Sequence, residues 1–417
     1  MFNNPVNFYY INNTKASKTI ETKTGISKPH TMLCHECHYE VKLPSLGHKQ
    51  AAVCPRCGLQ LTVYHHNASQ RIIALATTSL IFLLASLPFE FLSFSASGQY
   101  QSIDILGSLW ILVEKDYGLL ALVQAVAVLI LPAFVLIALL YLLVPMSLGI
   151  RPRKTEFILR ALFKLLPWTM AEIFLIGVLV SLIKIVSMAE IGLGLSFYAY
   201  LFFSIFMTIT LLYVDKYQLQ LLLDSKDEQQ SPINPSHSIQ TTWALLFTSV
   251  LLYIPANILP IMHTSVLGST EPSTILGGVI LLWKMGSYPI AMVIFIASVF
   301  VPVAKIIILC WLNYSVQAKQ QHANNERIFW YRITEFVGRW SMIDVFVVAV
   351  LVSLIQSGNI MNILPGHGAL AFCGVVICTM LAAMSFDSRL IWHKPETRSE
   401  KQLEKQPEKL NGGEKQV

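Results

Sequence analysis

Four cysteines stand in two Cys-x-x-Cys pairs, Cys34/Cys37 and Cys54/Cys57, with 16 residues between the pairs. Thiolates at this spacing are the donor set of a closed tetrahedral Zn²⁺ site. Pro55 and Gly58 suit the tight turn of a metal knuckle, and the β-prone stretches 39–43 and 59–64 suit a zinc ribbon over residues 31–66. Four thiolates leave no open position for a substrate, so the expected ion is one structural Zn²⁺ rather than a catalytic one. Its bonds would supply most of the stability of so small a domain. Disulfide pairing is disfavoured, because the segment precedes the first apolar run and is expected in the reducing cytoplasm. A redox Cys-x-x-Cys would need a thioredoxin-type βαβ context, which the flanking sequence lacks. His35, His38, His48, His65 and His66 lie close by, but four cysteines already complete the site.

A second set of residues is conspicuous by its surroundings. Glu172, Lys305 and Asp344 fall inside long apolar runs. An ionisable residue at bilayer depth costs about 2.5–3.5 kcal/mol on insertion scales, so it usually faces a partner or a cavity. At 1.5 Å per helical residue, Lys305 and Asp344 would lie roughly 12–14 Å from the same ends of two consecutive spans. They are level and opposite in charge, which predicts a Lys305–Asp344 pair. Such a pair serves either as a proton-sensitive or cargo-gating element, or only to fix helix packing, and the sequence leaves both readings open. Glu90 and Lys184 lie near span ends and are expected to snorkel. Cys310, Cys373 and Cys378 read as packing residues.

The elements that must position these groups follow from composition. The 417 residues are 54% hydrophobic and only 13% charged, with a mean hydropathy of +0.57. A soluble domain carries about 25% charged residues, so the expected class is an all-α polytopic membrane protein with a small β appendage. Eight runs are long enough for a bilayer core, which takes roughly 20 helical residues. They cover 72–92, 118–144, 162–187, 194–214, 241–262, 288–314, 336–357 and 366–386. Residues 1–30 carry no apolar signal region and, like 389–417, read as polar tails. With an even number of spans both termini share a side. The segments on that side hold 24 Lys/Arg against 3 on the other, which predicts cytoplasmic termini. The basic excess is thus topological, and no nucleic-acid partner is implied.

The apolar mass is written twice. WTMAEIFLIGVLVSLIK (168–184) matches WSMIDVFVVAVLVSLIQ (340–356) at 9 of 17 positions, an offset of 172. Pro88 and Pro260 share that offset, while 105–107 with 275–277, and Pro132 with Pro302, lie 170 apart. Four-span modules over 71–214 and 241–388, joined by a cytoplasmic linker at 215–240, would be parallel repeats about an axis along the membrane normal. A cavity shared between them would be a path for cargo, the favoured reading, against duplication of a packing unit with no transport implied. Glu172 matches Asp344, whereas Lys305 is matched by the uncharged Val135. Segments 102–116 and 272–286, with Trp110 and Trp283, are too short to span and predict interfacial or re-entrant helices. No phosphate-binding Gly-x-x-x-x-Gly-Lys-[Ser/Thr] loop, His-Glu-x-x-His or nucleophile motif occurs, so neither nucleotide use nor enzymatic activity is expected.

The ribbon, the paired Trp-x-Met-x-[Glu/Asp]-x-Phe modules, and the sequences LYIPANILPIM (252–262), PSTILGGVILLW (272–283) and EFVGRWSMIDVFVVAVL (335–351) together resemble the paraquat-inducible protein A family over residues 32–392. The resemblance implies an inner-membrane component of an intermembrane lipid-transport system. It also implies a periplasm-spanning, tunnel-forming partner built of MCE domains, with membrane lipid as cargo. Lys305 and Asp344 match polar family positions in the second module. The family's common second four-cysteine ribbon is absent, since 213–242 contains no Cys. A different class, a membrane sensor or scaffold whose ribbon docks cytoplasmic partners, remains the alternative.

Overall fold

The computed structural model describes residues 8–9, 30–43, 50–65, 67–96, 99–150, 152–185, 190–223, 234–266, 269–284, 286, 288–318, 324–354 and 361–392. The expected tails at 1–30 and 389–417 fall mostly outside these. The chain opens with a short strand β1 (Phe8–Tyr9) and four ribbon strands: β2 (His30–Leu33), β3 (Glu40–Leu43), β4 (Ala51–Val53) and β5 (Gln60–Val63). β2 and β3 pair antiparallel, as do β4 and β5, and β1 adds to the free edge of β4 in parallel. Each Cys-x-x-Cys lies in the turn of one hairpin.

Eight helical segments are long and apolar enough to cross a membrane. The first module contains α1 (Ala68–Ala85), α2 (Ile105–Glu114), α3 (Gly118–Ala125), α4 (Leu131–Ser147), α5 (Thr155–Leu165), α6 (Ala171–Ile185) and α7 (Leu195–Tyr213). A short helix, α8 (Lys216–Leu222), follows. The second module repeats the order with α9 (Pro235–Ile258), α10 (Ile275–Lys284), α11 (Tyr288–Phe295), α12 (Val301–Gln317), α13 (Asn324–Trp340), α14 (Ile343–Leu354) and α15 (His367–Ser385). The likeness extends to caps. Asp104 accepts the Gly107 N–H at 3.2 Å at the start of α2, and Thr274 accepts the Gly277 N–H at 3.1 Å at the start of α10. Trp110 and Trp283 on these ten-residue helices are 71% and 51% exposed, as amphipathic anchors would be.

Three features depart from the sequence expectation. The runs at 162–187 and 336–357 are each broken. The amphipathic α5 ends in a 3₁₀ turn, Leu166–Trp168, before α6 starts, and α13 ends at Trp340 before α14 starts at Ile343. Pro167 removes a donor at the first break. Hydropathy merges such segments because both sides remain apolar. The second departure is a pair of small sheets. β6 (Leu92–Ala96), β7 (Gln99–Ile103) and β8 (Glu190–Leu193) form one, and β9 (Met262–Val266), β10 (Ser269–Ser273) and β11 (Met361–Pro365) form the other, with β6 and β9 central. They lie at the end of the bundle opposite the ribbon. Each closes its module by joining the hairpin after the first span to the connection before the last.

The third departure is a π-helical turn within two of the spans. α3 runs into α4 through a π-helical turn, Val126–Ile130, and α11 runs into α12 through Ile296–Phe300. Pro132 and Pro302 follow these turns, and each lacks the N–H that would bond four residues back. The Val128 carbonyl thus freed is met by the Tyr200 hydroxyl at 3.3 Å. In the second module Tyr253, from a different helix, reaches the Val299 carbonyl at 3.5 Å.

The modules meet along α6 and α14. Phe174 and Phe346, which match at offset 172, cross edge to face at 5.7 Å. Ser181 Oγ donates to the Val347 carbonyl at 3.3 Å, and its counterpart Ser353 donates to the Ser108 carbonyl at 3.1 Å. The seam is therefore tightly packed. Among the described residues the cavity in it, lined by Phe91, Ile105, Ser108, Phe174, Val350 and Ser353, measures about 20 Å³. That holds no more than one water. Among the described residues this pocket is too small to carry cargo.

Candidate metal centre and intramembrane polar site

The two hairpins build the cage by one repeated turn. His38 N–H donates to the Cys34 carbonyl at 2.8 Å, and Gly58 N–H donates to the Cys54 carbonyl at 2.9 Å. Both fifth residues sit in the left-handed region, His38 at φ 55° and Gly58 at φ 70°. This turn directs both thiols of each pair inward. All four Sγ atoms are buried and lie within 4.8 Å of one another, with Cys34–Cys57 at 3.6 Å and Cys37–Cys54 at 3.5 Å. A tetrahedral ion with bonds of about 2.3 Å to sulfur needs sulfur separations of about 3.8 Å. The residues thus fit a tetrahedral metal ion. Hydrogen bonding among the thiols, with Cys34 the largest influence, holds Cys54 below its ordinary value and Cys37 above it. Such a proton-sharing cluster can release protons to an incoming dication. His35, His38 and His65 do not join the cluster, and His48 and His66 lie outside the described residues. His38 instead meets Arg389 Nη1 at 3.3 Å, and burial, then that neighbouring charge, holds its imidazole below the usual histidine value.

The ribbon core is not closed by the ribbon alone. Tyr217 of α8 and Trp392 beyond α15 pack against its cysteines and Leu61. Asp215 Oδ2, just before α8, accepts from Thr62 Oγ1 at 2.6 Å and from the Val63 N–H at 3.0 Å. On the second module's side, Arg332 of α13 donates to both Glu36 carboxylate oxygens and, at 3.0 Å, to the carbonyl of Cys57. Arg56 stacks over Trp392 at 4.6 Å. One ribbon therefore touches both modules. A four-thiolate cage around a divalent ion carries two net negative charges, and Arg332, Arg389 and Arg56 are suitably placed countercharges.

Lys305 and Asp344 are both in the second module, but they do not pair directly. Lys305 is 2% exposed and its Nζ donates to Thr379 Oγ1 at 3.1 Å. Thr379 in turn donates to the Val376 carbonyl at 3.0 Å. Asp344 accepts from Ser298 Oγ at 2.5 Å. The break at Ser341–Met342 accounts for the difference. It places Asp344 in the first turn of a new helix, beside the π turn that holds Ser298, rather than midway along a continuous span. Ser298 and Lys305 are seven residues apart on one helix, or about 10 Å. The site is a line of two hydroxyl-to-charge contacts rather than one ion pair. Glu172 occupies the first turn of α6, matching Asp344 of α14. Among the described residues it makes no hydrogen bond or ion pair.

Sequence reasoning missed Ser298 and Thr379, because a hydroxyl on a membrane helix ordinarily bonds its own backbone. The repeat contained the signal. At the corresponding positions the first module has Val128 for Ser298, Val135 for Lys305 and Met207 for Thr379. The polar line belongs to one module only.

The family described as Paraquat-inducible protein A matches this chain twice, over residues 69–222 and 239–396, once per module. The chain is 40% identical over 407 residues to the intermembrane transport protein PqiA of Escherichia coli (strain K12), covering 88% of this chain and 97% of that protein. A probable intermembrane transport protein of Haemophilus influenzae is 29% identical over 89% of this chain and 98% of its own length. The lipophilic envelope-spanning tunnel protein A of Escherichia coli (strain K12) is 28% identical over 87% of this chain and 91% of its own length. No solved structure matches.

Proposed function

The chain belongs to the paraquat-inducible protein A family, and from that premise we propose that it is the inner-membrane component of an intermembrane lipid-transport system. In this reading the ribbon and both termini are cytoplasmic and the ribbon holds a structural Zn²⁺. The two small sheets face the periplasm, where a tunnel-forming MCE-domain partner would receive or deliver lipid. The names of the relatives support intermembrane transport, and one of them specifies a lipophilic tunnel.

The observation that carries the reading is the asymmetry of the modules. Ser298, Lys305, Asp344 and Thr379 place two charges and two hydroxyls in the second module, and three of the four positions are apolar in the matching module. A packing unit duplicated only for structure has no reason to bear that cost in one copy. The span carrying Ser298 and Lys305, Ala291–Gln317, is also less covered by protein than its counterpart Gly118–Ser147, 28% against 50% buried. An exposed helix beside a polar line can receive a headgroup laterally while its surface meets acyl chains. The first module, whose matching span is more covered by protein, serves as the frame. Glu172 is then a remnant of the shared ancestor rather than a working member of the line.

The reading is tested by reconstituting the full chain in liposomes with fluorescent phospholipid and adding an MCE-domain protein. Transfer to acceptor liposomes is expected to depend on both proteins and to fall at least tenfold for Lys305→Met and Asp344→Asn. The Glu172→Gln variant is expected to retain transfer. Equal transfer by wild type and Lys305→Met would sink the proposal. The scaffold alternative is weakened by the ribbon's own contacts, because its faces toward Asp215, Arg332 and Arg389 are already occupied within the chain.

A further inference from the structure

We infer that α13 is a positioning helix that links the metal ribbon to Lys305, with Arg332 and Gly338 as its two working contacts. The helix is held between two neighbours. On one face Arg332 donates to Glu36, inside the first knuckle, and to the carbonyl of Cys57, a cage residue of the second. Six residues later, about 9 Å along the axis, Gly338 lies against the Lys305 side chain. A Cβ at 338 would stand 3.1 Å from Lys305 Nζ and 3.3 Å from its Cε. The absence of a side chain at 338 leaves the space in which the ammonium sits and reaches Thr379.

The repeat supports this assignment independently. The first-module counterpart of Gly338 is Leu166, and that of Lys305 is Val135. Where the lysine is replaced by a smaller apolar residue, the glycine is replaced by a large one. Lys and Gly thus occur together in one module, and Val and Leu in the other. The same helix then breaks at Ser341–Met342 and restarts with Asp344 in its first turn. A shift of α13 therefore moves the roof over Lys305 and the start of the helix that bears Asp344. The ribbon, by holding Arg332, sets where that roof rests. The inference deepens the transport reading by giving its polar line a cytoplasmic regulator, and its geometry does not depend on lipid being the cargo.

Coupling between two sites is reciprocal, so the inference can be read at the ribbon without measuring transport. The full-length protein, loaded with zinc in detergent, is challenged with excess EDTA and zinc release is followed with a chromogenic indicator. Gly338→Leu is expected to accelerate release by about fivefold or more, the lower range of ordinary allosteric coupling. In an Arg332→Ala background the same substitution should add less than twofold, because the link is already cut. In a Lys305→Val background Gly338→Leu should also add little, because that pair recreates the first module's packing. If Gly338→Leu fails to fold, Gly338→Ala is the milder probe, displacing the ammonium by a few tenths of an ångström. Release rates within twofold of wild type for the folded variant, or an undiminished effect without Arg332, would overturn the inference. Lipid transfer is scored separately. A wild-type chain that transfers no lipid but shows the coupled release would refute the transport reading and leave the positioning helix standing.

Discussion

At the scale of single residues, the metal cage depends on a backbone conformation as much as on sulfur. Gly58 holds φ 70° with no atom within 4 Å of where a Cβ would be. A Gly58→Ala substitution therefore meets only backbone strain, about 1–2 kcal/mol. We expect this as a roughly tenfold loss of zinc affinity in competition with a chelator, with no change in helix content. The cage was the most legible part of the site, because a knuckle is local: Cys34 to Cys37 and Cys54 to Cys57 can be read without knowing the fold. Lys305 and Asp344 were legible as charges in an apolar text. Their partners were not. Ser298 and Thr379 resemble any other hydroxyl on a membrane helix until the fold brings them opposite a charge, and Glu36 and Arg332 are separated by 296 residues.

At the scale of elements, the broken helices matter most. Hydropathy detects each crossing but not a break within it, since Trp168, Met170, Trp340 and Met342 are apolar on both sides of the turn. The amphipathic periods of α5 and α13 are the pattern that distinguishes them from the uniformly apolar α6 and α14. The π turns have an equally specific cause and a direct check. Removing the Tyr200 hydroxyl leaves the Val128 carbonyl without its donor, at a cost of about 1–3 kcal/mol. Tyr200→Phe is thus expected to lower the melting temperature of the purified protein. Restoring a backbone N–H with Pro132→Ala should reduce that cost, because the helix can then bond Val128 itself. Purely additive melting shifts in the double variant would mean that proline is not the reason for the turn.

At the scale of the whole molecule, two attachments hold the modules together: the packed α6–α14 seam within the bundle and the ribbon beyond its end. Asp215, at the start of the linker that follows the first module, anchors that side of the second attachment. It accepts from Thr62, from Val63 and, at 2.9 Å, from the N–H of Tyr217. Asp215→Ala removes one carboxylate and strands three donors, costing about 1–3 kcal/mol for each that water does not reach. We expect a lower melting temperature and faster proteolysis between the ribbon and α1, with zinc content unchanged in the intact fraction. Zinc lost in proportion to cleavage before any melting shift would place Asp215 in the cage's own support instead. The parallel repeat was legible as an offset in the sequence. The packing of the seam was not, because a duplicated unit can pack its halves together or apart with equal periodicity, and the Phe174–Phe346 crossing is visible only in the fold.

The ribbon is present once, while the surface beneath it is present nearly twice. Arg160 stands in the first module where Arg332 stands in the second, yet Glu36 can grip only one arginine. A single clasp laid over two look-alike halves must choose, and in choosing it gives the pair a handedness that duplication alone would not provide. The chain is therefore asymmetric although its two halves are related in sequence. Exchanging the two modules in order would preserve every span and change which half the ribbon's Glu36 can hold.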